Sequence, residues 1–176
     1  MSITGALPSP RAATDGGELP VTFEEFVATS HTGLFSAMCL ITRDRNEAED
    51  VMQEALLSVW ERWDRVVTMD DPEGYLYRTA FNAQRRRRRR AALALKRAVR
   101  LAPPPDRFDE VETRHVVMRA LASLTPRQRE AVVLTELLDY PSDEAAAIMG
   151  ISSSTVRVLA SQGRERLRQT VGDRDA

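Results

Sequence analysis

From Phe23 onward the apolar positions recur every three or four residues, the spacing of helices that bury one side. Phe23 to Cys39 predicts one or two short amphipathic helices. Asn46 with Glu49 three positions later has the form of a capping box, and the stripe Ala48, Met52, Ala55, Val59, Trp63 follows it. Asp50, Glu54, Leu57 and Glu61 fall on a different face of that helix. The next helix is expected from Asp71, with Pro72 in its first turn, where a missing N–H costs nothing. It runs through Tyr75, Leu76, Ala80 and Ala83 into the arginines that begin at Arg85. Pro103, Pro104 and Pro105 stop the helical pattern and favour a stiff, extended connection. Helical spacing resumes near Glu110. Thr125-Pro126-Arg127-Gln128 reads as a capped start leading into Ala131, Val132, Leu134, Leu137 and Leu138. Ser142 is expected to cap a short helix that ends at Gly150, and Ser152 or Ser153 to cap a last one through about Gln169. With no strand pattern and no internal repeat, the fold class is all-α. It comprises a disordered leader over 1–20, a helical domain over 21–100, a flexible proline-containing linker over 101–110 and a second helical domain over 111–171. A linker of about ten residues can span up to ~30 Å between two domains.

Composition changes this picture mainly through what it excludes. Apolar residues make up 43% and charged residues 29% of 176 positions, a globular balance. No apolar run approaches the ~18 residues of a spanning helix, and the N-terminus lacks the pattern of a secretory signal. Neither a membrane partner nor export is expected, and the cytoplasm is the expected compartment. One cysteine, Cys39, and two histidines, His31 and His115, leave no intrachain disulfide and little from which to build a metal site. Without a phosphate-cradling glycine loop as well, no catalytic constellation, metal or cofactor is expected.

Charge is more informative in its order than in its sum of −1. Arg78 to Arg100 holds ten basic residues and no acidic one, and acidic segments flank it on both sides. One surface for a polyanion and another for a basic partner would follow from that separation. Six consecutive arginines, Arg85 to Arg90, span more than a helical turn and point in every direction around the axis, toward solvent or phosphate. Arg78, Asn82, Arg85 and Arg89 share one face, placing an amide suited to a base among charges suited to backbone. The plainer alternative is a solvated basic tail. Asp50, Gln53, Glu54 and Leu57 line one side of the earlier helix, a pattern that by itself is more often a solvated face.

Ser142 to Gln162 fits a helix-turn-helix. Ala146 occupies the close crossing, Gly150 supplies the left-handed turn, and Ile151, Val156 and Leu159 fill the space between the helices. The second helix then presents Ser154, Arg157, Ser161 and Arg164 outward, small hydroxyls permitting close approach and arginines reaching phosphate or guanine. An ordinary helical hairpin with a glycine cap is the competing reading.

Together the blocks resemble the extracytoplasmic-function sigma factors of the sigma-70 family. Asn46 to Trp60 is similar to their regions 2.1–2.2, and Pro72 to Asn82 with its trailing arginines to regions 2.3 and 2.4. Leu124 to Glu130, Ala146 to Met149 and Ser154-Thr155-Val156-Arg157 are similar to region 4. The resemblance covers about residues 21–170, in order, with the hinge between the blocks. It implies a region 2 domain that grips the clamp of core RNA polymerase through Asp50, Gln53, Glu54 and Leu57. It implies melting of the −10 element beside Arg78, Asn82, Arg85 and Arg89. A region 4 domain is implied to hold the −35 element of promoter DNA through Ser154, Thr155, Arg157, Ser161 and Arg164, and to meet the polymerase flap. An anti-sigma factor as a further partner is left open, and the free chain is expected to be a monomer. The rival is a stand-alone helix-turn-helix regulator, which would be dimeric. Phe81, Leu159 and Gln162 stand where the family often carries arginine, the last two on the recognition helix, and Tyr75 stands where it commonly carries tryptophan.

Overall fold

In the computed structural model, residues 22–97 and 112–172 are described. The leader and the proline linker lie outside them. Thr22 opens α1 (Phe23–Thr42) with a capping box: its hydroxyl accepts from the Glu25 N–H, and the Glu25 carboxylate accepts from the Thr22 N–H, both at 3.2 Å. The segment read as one or two helices is thus a single helix of 20 residues. Its buried edge is Phe26, Ser30, Leu34, Ala37, Met38 and Ile41. Arg43, left-handed at φ 62°, ends it.

The expected Asn46–Glu49 box does not form. Asp44, two residues earlier and as good a cap, accepts from the Glu47 N–H at 2.9 Å, which places Asn46 inside α2 (Arg45–Trp60). Glu49 is engaged by Arg45 instead, at 3.1 Å. Ala48, Met52, Ala55 and Val59 are buried as the stripe predicts, but Trp63 belongs to a separate single turn, α3 (Trp63–Val66). Phe23 joins these parts, its ring 5.6 Å from that of Trp60 and 5.4 Å from that of Trp63. Asp71 then caps α4 (Pro72–Arg97) by accepting from the Gly74 N–H at 2.7 Å. Leu76, Tyr77, Ala80, Phe81, Ala83 and Gln84 are the buried face of α4, and from Arg88 to Ala94 its side chains are exposed.

The second half begins with α5 (Glu112–Ala122), followed by α6 (Pro126–Val132), whose Thr125–Gln128 capping box is the one its sequence predicts. The chain continues from α6 into a π-helical stretch, Val133–Leu137, closed by Leu138 N–H donating to the Val133 carbonyl at 3.1 Å. Ser142 is not the cap of α7 (Ser142–Met149); Pro141 holds that position with extended backbone and Ser142 is already helical. Gly150 terminates α7 at φ 65°, and Ser152 starts α8 (Ser153–Gly172) by accepting from the Thr155 N–H at 3.2 Å. Helix α8 crosses α6 closely at Gly163, where a β-carbon would meet Val132 Cγ2 at 2.5 Å.

The two halves share one apolar core. A continuous cluster of buried side chains runs from Phe26 to Ala160, and the rings of Tyr77 and Tyr140 meet edge to face across the seam, 5.8 Å apart. The sequence left the placement of the two halves open, since a linker of about ten residues sets only an upper limit of ~30 Å on their separation. Among the described residues they are packed together.

Candidate functional site

The six arginines are not equivalent. Arg85 is half-buried and lies 3.4 Å from Glu130, a carboxylate only 1% exposed, without the alignment of a hydrogen bond. Burial pushes the Arg85 guanidinium below its ordinary value, and Glu130 offsets part of that. Its second terminal nitrogen is 3.4 Å from the Ile148 carbonyl on α7, and another reaches the Asn82 amide oxygen at 3.2 Å. Arg86 and Arg87 turn the other way, onto α2. Arg87 donates to Asp50 at 2.9 Å and to Glu54 at 3.2 Å, and Arg86 to Glu54 at 3.0 Å. The bond from Arg86, seconded by Arg87, holds the Glu54 carboxyl below its usual range. Arg88, Arg89 and Arg90 remain exposed. A helix charged all round therefore does not simply project into water, because α2 and α6 bring acid to two of its sides.

That division brings two predicted surfaces into contact. Asp50, Gln53, Glu54 and Leu57 share one side of α2, with Leu57 62% exposed and Trp60 49% exposed at its end, yet its two acids are already paired by arginines. On α4, Arg78, Asn82 and Arg89 are exposed, and the Arg78 guanidinium sits 5.5 Å from the ring centre of Tyr75.

The helix-turn-helix geometry is present. Ala146 and Val156 are buried, Ile151 and Leu159 pack on the core, and the Ile151 N–H donates to the Ala146 carbonyl at 3.1 Å. Ser154, Thr155, Arg157 and Ser161 are exposed along α8. Arg164 is not free: it donates to Glu136 at 2.6 Å. Leu159 turns inward, and Gln162 accepts from the Gln128 amide at 3.3 Å. The two departures from arginine on α8 thus serve packing and the α6–α8 contact.

Sequence reasoning missed Glu130, Arg129 and Val158. Arg129 is buried and donates to three carbonyls, those of Leu121, Leu124 and, across the seam, Ile41. Val158 is 53% exposed, at helical spacing between Ser154 and Ser161. An apolar residue at that spacing was the available signal for it. Nothing local marks Arg129 and Glu130 as buried.

Comparison with known families accounts for this arrangement. The model for sigma-70 region 2 matches residues 26–93, from α1 into the exposed arginines, and that for sigma-70 region 4 matches 114–167, from α5 into α8. The ECF RNA polymerase sigma factor SigM of Mycobacterium tuberculosis is 30% identical over 156 residues, covering 85% of this chain and 77% of that protein. The chain belongs to the extracytoplasmic-function sigma factors. The RNA polymerase sigma-E factor of Streptomyces avermitilis is 29% identical over 155 residues, 87% of each chain. Among solved structures, the fold is similar to that of the sigma factor RpoE in complex with the anti-sigma factor NepR from Bartonella quintana. There the TM-score is 0.68 at 22% identity, over 85% of this chain and 96% of that one. CnrH in complex with the cytosolic domain of CnrY gives a TM-score of 0.59 at 24% identity, over 97% and 99%. The chain is an RNA polymerase sigma factor, a transcription initiation protein whose sigma region 4 is a helix-turn-helix. Among the described residues of this sigma factor no helix is long and apolar enough to cross a membrane.

Proposed function

We propose that this sigma factor grips the polymerase clamp with the α2 face of Asp50, Gln53, Glu54 and Leu57 and opens the −10 element along Arg78, Asn82, Arg85 and Arg89. The −35 element is read by Ser154, Thr155, Arg157 and Ser161 on α8, and Arg164 reaches a phosphate only by leaving Glu136. The domains run over 21–100 and 111–171, joined by 101–110. One observation carries this division: an acidic face edged by exposed Leu57 and Trp60, and an outward helix of small hydroxyls and arginine, lie in opposite halves of one chain. Two modest DNA readers become selective when polymerase fixes their separation. Opening at −10 needs capture of an unstacked base rather than a chemical step, so we infer no enzymatic activity. Val158 adds an apolar contact suited to a thymine methyl.

The α2 face meets the clamp with its charge partly neutralised. Basic groups of the clamp would take over Asp50 and Glu54 from Arg86 and Arg87, an exchange of partners that leaves Leu57 and Trp60 to supply apolar area. The RpoE neighbour is in complex with an anti-sigma factor, and we infer a partner of that class here as well. The free chain is a monomer and works in the cytoplasm, where it meets polymerase. The test is Asn82→Ala in a reconstituted open complex. Permanganate reactivity of unpaired thymines at −10 should fall while the salt dependence of promoter binding stays. Normal opening would remove α4 as the −10 reader.

A further inference from the structure

Helix α8 has an apolar side and an outward side, and Val158 is on the wrong one for packing. Val156 and Ala160 are buried, and Leu159 and Leu167 pack against buried clusters, so the inward side is complete without it. Val158 lies two residues from both Val156 and Ala160, about 200° round the axis from either, among the exposed Ser154, Arg157 and Ser161. It is 53% exposed. Nor does the helix gain from it, since a β-branched residue forms helix less well than alanine or a straight chain. What valine does provide is one favoured rotamer, which holds its isopropyl group in a fixed place. The serines four positions before and three after are too small to screen that group. The same side carries little free charge. Arg164 is held by Glu136 at 2.6 Å, and Gln162 by Gln128 at 3.3 Å, which leaves Arg157 as the exposed arginine beside Val158.

With so light a grip on phosphate, discrimination falls on contacts to base edges. In the major groove those edges present hydrogen-bonding groups and one apolar group, the methyl on C5 of thymine, which 5-methylcytosine shares. We propose that Val158 makes the −35 helix a reader of one C5 methyl group, accepted from thymine or from 5-methylcytosine alike, so that methylation of a cytosine at that position strengthens promoter binding. The inference rests on α8 as the −35 reader and adds the chemical group that Val158 selects. An isopropyl group supplies apolar area only, and it does not sense whether a carbonyl or an amino group stands at C4 beside the methyl. Any preference between the two pyrimidines comes from Arg157 and the flanking hydroxyls. Contact withdraws one methyl group from water, which changes affinity about fourfold.

The test uses the full chain on core polymerase and a −35 duplex selected from a randomised library. Each thymine, on either strand, is replaced by uracil, which differs only in lacking the methyl group. One replacement should weaken binding about fourfold, and the others should leave it unchanged. At that position 5-methylcytosine paired with guanine should bind about fourfold more tightly than cytosine paired with guanine. Val158→Ser alters no buried residue, so it should melt as wild type does, and it should level both differences. A uracil effect that survives Val158→Ser overturns the methyl reading. A response to thymine without one to 5-methylcytosine overturns the shared recognition. A flat uracil scan overturns the methyl reading as well, and Arg157→Ala in the same assay then shows how far the failure reaches. If that variant binds less tightly, α8 stands as the −35 reader and only the role of Val158 falls. If it binds as wild type does, the assignment of α8 falls with it.

Discussion

Arg85 to Arg90 are chemically identical, and three environments separate them. Arg85 meets Glu130, Arg86 and Arg87 meet Asp50 and Glu54, and the remaining three are exposed. Their presence on all faces of a helix was legible in the sequence. Which face meets acid was not, because that depends on how α2 and α6 pack against α4. Replacing Arg88, Arg89 and Arg90 with serine should lower the salt slope of promoter affinity by roughly 0.7–0.9 for each lost phosphate contact, read from a titration at several salt concentrations. The Arg86→Gln, Arg87→Gln pair should leave that slope alone, and because these ion pairs are largely exposed it should cost less than about 1 kcal/mol in a denaturant melt. Were the slope to fall equally in both variants, the division would not hold. Arg157 is exposed on α8, and Arg157→Ala should cost about 1–3 kcal/mol and relax preference at one −35 position if it reads a base edge. Binding to a −35 library with unchanged strength and preference would take Arg157 out of the interface.

At the scale of elements, local chemistry predicted well where it acts alone. The Thr125–Gln128 box and the Gly150 turn follow from residues adjacent in sequence. Asn46 was overtaken by Asp44 because both are good caps and sequence does not rank them. The π-helical stretch was not legible, since Ala131, Leu134 and Leu138 fit an ordinary helix equally well. Gly163 also escaped notice. In a helix alanine gains up to about 1 kcal/mol over glycine, but here its methyl would strike the stiff Val132 side chain, and overpacking costs about 1–3 kcal/mol. Gly163→Ala should therefore lower stability in chemical denaturation, and a rise would mean that α6 yields easily.

Glu73, in the first turn of α4, has its carboxyl pushed up to about 7, by burial first and by Asp71 second. A folded value above the unfolded one means that its contribution is fully present below about pH 4.5 and is lost as pH rises through about 7. Glu73→Gln should remove that loss and leave the variant more stable than wild type at pH 8, by about 1–2 kcal/mol after allowance for its partial exposure. Parallel stability curves for the two proteins between pH 5 and 8 would contradict this.

For the molecule as a whole, the all-α class, the two helical halves and the family were legible, because helical period and motif order survive in one dimension. The relation between the halves was not. Pro103 to Pro105 left their placement open, whereas Arg129, Glu130, Tyr77 and Tyr140 join the halves through contacts distant in sequence. The proposed function asks this chain to present two DNA readers to polymerase, and among the described residues its halves are packed together. The most direct test of this division of labour is initiation reconstituted from purified core polymerase and this chain. Wild type should direct transcripts from one class of promoter, and Asp50→Arg with Glu54→Arg should abolish both core binding and transcripts while −35 duplex binding persists. Transcripts at wild-type level from that double variant, or none from wild type with core bound, would contradict the account.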